Sequence, residues 1–160
     1  MIAHKIGSLY RVIVGDTLVL IDDNAIDRAV GLLGDAEEIL VCSTGVELEF
    51  AQGFKNKMLK IGRVVTIELR LSSAFYRASR VGSGNVCFVL LSYSGKSERL
   101  LRVARRTRES HAPVVAITSF CGNSLSGLSD VALYVSSRVK RRGRATGIAT
   151  SFEKQRFRPL

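Results

Sequence analysis

Five short apolar or β-branched runs, at 39–42, 64–67, 86–91, 114–117 and 131–135, constrain this chain more than any other feature. They are nearly continuous in hydrophobicity instead of alternating, so each predicts a strand that must be covered on both faces. The segments between them supply the covers. Asp22-Asp23-Asn24 forms a helix N-cap signal, followed by an apolar stripe of Ile26, Ala29, Val30 and Leu33 and a stop at Gly34. Val46, Phe50, Phe54, Met58 and Ile61 recur every three or four residues before Gly62, which predicts an amphipathic helix. A further helix is read over 72–80. After the third run, Leu100, Leu101 and Ala104 face inward, while Arg99, Arg102, Arg105, Arg106 and Arg108 form a solvated face. Alternating elements at these spacings predict an α/β fold: a three-layer α/β/α sandwich around a five-stranded parallel sheet.

With 160 residues, 46% of them hydrophobic and only two prolines, the chain suits one compact domain and excludes disordered or collagen-like classes. Its longest apolar run, 86–91, falls far short of the ~18 residues a membrane span needs. The first residues lack the apolar core and cleavage site of a secretory signal, so the chain reads as cytoplasmic, with no membrane partner. Cys42, Cys87 and Cys121 are odd in number and form no Cys-x-x-Cys pair. They read as reduced thiols, the first two packed as small hydrophobes inside strands. His4 and His111 are isolated, and neither a metal nor a cofactor is expected.

The net charge of +10 is unevenly placed: residues 1–50 carry −6, residues 51–137 carry +9 and residues 138–160 carry +7. Arg138, Lys140, Arg141, Arg142 and Arg144 could meet nucleic-acid phosphates through counterion release. No aromatic residue interleaves them, so a solvated tail is the favoured reading.

In an open α/β sheet, ligands gather beyond the carboxyl ends of the strands. Three hydroxyl-rich loops lie there: Ser43-Thr44-Gly45, the run from Ser92 through Tyr93, Ser94, Gly95 and Lys96 to Ser97, and Thr118-Ser119 continuing to Asn123-Ser124. The second is the strongest anion candidate. Its glycine allows close backbone approach, its serines can donate hydrogen bonds, Lys96 adds charge, and a helix N-terminus follows. The competing explanation is that these residues only cap a helix after a turn. Gly82-Ser83-Gly84 precedes its strand and reads as a turn at the other end of the sheet. No Gly-x-Gly-x-x-Gly or Walker sequence follows any strand, which disfavours dinucleotides and ATP.

The Ser92–Ser97 loop, the strand ending Ile117-Thr118-Ser119 and the Leu125 to Val131 turn occur in the order found in the sugar isomerase (SIS) domain, which this chain resembles. The 57–62 segment, Lys-Met-Leu-Lys-Ile-Gly, is similar to RpiR-type bacterial transcriptional regulators. The resemblance implies a SIS-like, flavodoxin-like sandwich that binds phosphorylated sugars and pairs as a homodimer. It implies ligand contacts from Ser43, Thr44, Gly45, Ser92, Ser94, Gly95, Lys96, Ser97 and Ser119. The organisation expected is a helical approach segment at 1–32, a SIS domain at 33–137 and a basic tail at 138–160.

In such regulators DNA is bound by a separate helix-turn-helix, a pattern not visible in these residues. The chain therefore reads as a sensor fragment or a stand-alone domain. Residues 148–160 lack the amphipathic stripe with which such regulators continue, which suggests a truncated or frame-altered end. The first loop also departs from the family's Gly-x-Gly-x-Ser: Gly45 matches, but Glu47 follows and would repel a nearby phosphate. The alternative function is an aldose-ketose phosphosugar isomerase with Glu47 or Glu98 as base. Against it, an acidic residue in a helix's first turn is already explained by the helix dipole.

Overall fold

The computed structural model describes residues 2–43, 45, 47–81, 86–120 and 123–136. Thr44, Cys121, the 82–84 turn and the basic tail lie outside these residues. Five strands, β1 (Glu38–Ser43), β2 (Val65–Glu68), β3 (Val86–Ser92), β4 (Val114–Ser119) and β5 (Val131–Val135), form one parallel sheet in the order β2-β1-β3-β4-β5. The expected three-layer sandwich is the fold observed, and the sheet order is that of flavodoxin-like proteins.

Burial follows strand position. All seven residues of the central strand β3 are buried, whereas the edge strands β2 and β5 are mostly half-buried. Successive side chains of a strand leave opposite faces, and two cores result. On one face Leu40, Cys42, Phe88, Leu90 and Val114 pack under α4 (Leu71–Ala78) and α5 (Glu98–Glu109). On the other face Ile39, Val41, Cys87, Val89 and Val115 pack under α2 (Asp23–Asp35) and α3 (Glu47–Lys60). A first helix, α1 (Ile2–Leu20), lies against β5, where the Ser136 amide donates to Thr17 Oγ1 at 3.1 Å.

Helices α2 to α5 form where the sequence patterning places them, but Val30, Phe50 and Ile61, read as parts of apolar stripes, are exposed, and Ala29 and Ala51 are the buried residues of α2 and α3. Asp22 caps α2, its carboxylate accepting from the Asn24 amide at 3.0 Å. The same helix ends one residue beyond Gly34, because the Arg63 guanidinium donates to the carbonyls of Leu33 (2.7 Å), Gly34 (2.8 Å) and Ala36. Those carbonyls have no partner within the helix, so a cation from the approach to β2 satisfies them. Helix α5 buries Leu100, Leu101, Val103, Ala104 and Thr107 and turns its arginines outward. Two of them pair with the helix's own acids, Arg105 with Glu98 at 2.7 Å and Arg106 with Glu109 at 2.8 Å.

No helix among the described residues is long and apolar enough to cross a membrane. Cys42 and Cys87 are buried free thiols. Burial pushes both up to about 12, aided by the charge of Glu68 at Cys42 and of Asp130 at Cys87; Arg77 partly opposes it at Cys42.

Candidate functional site

Sheet order locates the site. From β1 the chain turns to α3 on one face, and from the adjacent β3 it turns to α5 on the other. The two loops diverge and leave a crevice between them, the switch point at which open α/β sheets take ligands. Three of the sequence-selected residues end strands there: Ser43 on β1, Ser92 on β3 and Ser119 on β4, all buried.

Ser43 is the unusual member. It is 5% exposed, and its Oγ has no hydrogen-bond partner. Alternation along β1 places it on the α3 face, below the turn that carries Gly45. A buried hydroxyl left without a partner costs about 1–3 kcal/mol, so this atom marks a place where an incoming group would recover energy.

The β3–α5 loop is shaped by its own hydrogen bonds. The Gly95 amide donates to both Ser92 Oγ and the Ser92 carbonyl at 3.2 Å, and the Lys96 amide donates to Ser94 Oγ at 3.4 Å. Both hydroxyls act there as acceptors and keep their protons for another partner. Ser97 occupies the N-cap of α5 yet makes no side-chain capping bond. Simple capping therefore does not account for the serine at this position. The first amides of α5 have no carbonyl partner within the helix and point, with its dipole, toward the loop. Lys96 is exposed beside it.

Gly95 takes the left-handed conformation, φ +61°, and its amide turns back into the loop. A Cβ at this position would sit 2.7 Å from Asn123 Cβ and closer still to its amide group. Asn123 was visible in sequence only as part of the third loop; its role is structural support for the second. Its Nδ2 donates at 3.0 Å to Thr118 Oγ1 and to the Ser119 carbonyl, and its Oδ1 accepts from the Ser126 amide at 3.0 Å. The Leu125 amide then donates to the Gly95 carbonyl at 3.3 Å, and the Ser119 amide to the Tyr93 carbonyl at 3.0 Å. These bonds tie the second loop to Ser119, Asn123 and Leu125.

Glu47 lies in the first turn of α3, but its carboxylate does more than face the helix dipole. Its Oε1 accepts from the Tyr93 amide at 3.2 Å, across the crevice and 46 residues along the chain. Glu98, the other carboxylate considered as a base, is turned along α5 to Arg105. His111 sits in the turn between α5 and β4, at the opposite end of the sheet from the loops. Among the described residues no three His, Cys, Asp or Glu side chains are grouped to hold a metal ion.

The strand order and the serine loop at the switch point define a parallel, flavodoxin-like α/β sandwich, and comparison with known proteins narrows the class. Residues 32–155 match the SIS domain model, and the chain belongs to that family. It is 31% identical over 114 residues, 71% of its length, to the HTH-type transcriptional regulator HexR of Pseudomonas aeruginosa. The chain spans only 39% of that regulator. Its fold superposes on the NanR protein of Vibrio vulnificus, solved in complex with ManNAc-6P, with a TM-score of 0.80 at 24% identity, covering 85% of this chain and 51% of that one. It superposes equally on the sugar isomerase domain of an RpiR transcription factor from Sphaerobacter thermophilus, with a TM-score of 0.79 at 15% identity, covering 88% and 78%. The chain is thus a SIS domain homologous to those of HexR-type regulators.

Proposed function

We propose that this SIS domain binds a sugar phosphate and is the effector-sensing part of a longer RpiR-type regulator. The observation that carries the reading is the buried, unpartnered Ser43 hydroxyl at the switch point, at the end of the strand next to the one that leads into a serine loop with protons to donate. In this reading Ser92, Ser94, Gly95, Lys96 and Ser97 hold the phosphate, while Ser43, Thr44, Gly45 and Ser119 meet the sugar. The ManNAc-6P complex of NanR, a protein of the same fold, supports that ligand class. DNA binding belongs to a helix-turn-helix outside these residues, and the SIS unit is taken as 33–137 with 1–32 as its approach and 138–160 as a tail.

Pairing with a second copy is part of the same reading. Ile6, Tyr10, Val14 and Leu18 recur every four residues along α1 and are all at least half exposed. This apolar stripe suits a matching helix better than water. Sedimentation of the wild type as a dimer and of Tyr10→Glu/Leu18→Glu as a folded monomer is the expected result; a wild-type monomer refutes pairing.

The ligand test is a thermal shift with hexose, pentose and N-acetylhexosamine phosphates. A ligand at a hundred times its Kd adds about 2.7 kcal/mol, or roughly 5–11 °C for a domain of this size. Ser94→Ala/Ser97→Ala should abolish the shift. No shift from any sugar phosphate, in the wild type and in a variant with Glu47 removed, sinks the proposal.

A further inference from the structure

The Glu47–Tyr93 bridge is not explained by helix stability. An acidic residue in the first turn of α3 would gain its dipole energy pointing anywhere near that helix's amides, and Glu49 shares the same turn. Instead the carboxylate reaches across to the β3–α5 loop and takes a backbone amide from the strip of amides that would face a bound oxyanion. Among the described residues no ion pair includes it. The strand that leads into its helix ends on the unpartnered Ser43 hydroxyl. The second carboxylate oxygen hangs over Gly45, 3.6 Å from where a side chain there would begin.

We infer that Glu47 is an internal anion: in the ligand-free domain its carboxylate bridges the two diverging loops, occupies the Tyr93 amide, and sets the phosphate affinity of the crevice by competing with the ligand. The inference rests on the sugar-phosphate reading of the same site. A phosphate seated on the Ser92–Ser97 loop lies beside a fixed negative charge and must either displace it or bind against it. Both lower affinity, the first through the lost hydrogen bond and the second through like-charge repulsion. The residue thereby raises the ligand concentration at which the domain responds, and it couples occupancy to the separation of α3 from the β3 end.

The test separates charge from contact. Glu47→Gln keeps an acceptor for the Tyr93 amide but removes the charge, and Glu47→Ala removes both. Binding of inorganic phosphate and of glucose 6-phosphate to the full chain is measured by calorimetry, together with the Tyr93 amide resonance by NMR. Expected are affinities at least tenfold tighter in Glu47→Gln and tighter again in Glu47→Ala, a gap that narrows with added salt, and a Tyr93 amide that moves on binding in the wild type. Equal affinities in all three proteins overturn the inference while leaving the sugar-phosphate reading intact. Weaker binding in both variants overturns it too, because Glu47 would then be a ligand contact. No binding in any of the three removes both, since unmasking the amide should have revealed a site. Thermal midpoints of the three proteins confirm that each is folded.

Discussion

Replacing Gly95 by alanine should unseat the whole candidate site. At φ +61° an L-residue costs about 1–2 kcal/mol relative to glycine. The new methyl would also stand inside the contact radius of Asn123, whose side chain is fixed by three hydrogen bonds, to Thr118, Ser119 and Ser126. Moving it away forfeits those bonds at about 1 kcal/mol each, while the stiffer unfolded chain returns roughly 0.4–1 kcal/mol. The net loss is about 3–5 kcal/mol, which lowers Tm by roughly 6–18 °C in a domain of this length. Calorimetric unfolding of Gly95→Ala measures it, with Gly53→Ala as the matched control. Gly53 lies within α3 with open space where its Cβ would be, so alanine there should raise stability by up to about 1 kcal/mol. If Gly95→Ala unfolds within about 2 °C of the wild type, Asn123 does not brace the loop and the argument fails.

Other outcomes follow from the cores and from one surface pair. Cys42 and Cys87, buried and pushed up to about 12, should resist a thiol reagent at pH 8 until denaturant is added; labelling of either in the native state contradicts their packing. Burial raises the Glu38 carboxyl, but hydrogen bonds from Thr66 and Arg77 and the Arg77 charge outweigh it and hold it below 4.5. A depressed carboxyl stabilises the fold above its unfolded value and loses that contribution as pH falls through the folded one. Glu38→Gln should therefore cost roughly 1 kcal/mol or less at pH 7, with the difference from wild type shrinking as pH falls below the ordinary carboxylate range. Urea midpoints at pH 7 and 3.5 measure it, and a constant difference rejects the linkage.

The architecture was legible because burial on both faces leaves an unbroken apolar run, and 131–135 emerges as β5 with the same bounds. Strands β1, β3 and β4 run one or two residues beyond their apolar runs, into Ser43, Ser92 and Ser119, since the ladder continues into the polar residues that open the site, and β2 is shifted by one residue to Val65–Glu68. The serine loop could be found for the same reason: it directly follows a buried strand. What the sequence hid was non-local. Nothing in Asn123 announces that it fits against a glycine 28 positions earlier, and nothing in Glu47 announces a bond to a backbone amide. Both depend on which loops the parallel crossovers bring side by side, and one-dimensional periodicity does not encode that. The 2–20 helix was harder to delimit, because its apolar residues do not all face inward.

Helix α2 runs from Asp23 to Asp35 and so straddles the point where the family match begins. Ala29 closes the core beside Ile39 and Val41, and Arg28 is moored to the Asp130 carbonyl at 2.6 Å. Cloning the matched residues alone would remove the first nine residues of that helix, Ala29 among them, and uncover part of one side of the sheet. Any shortened version made for crystallisation should keep everything from Asp22 onward.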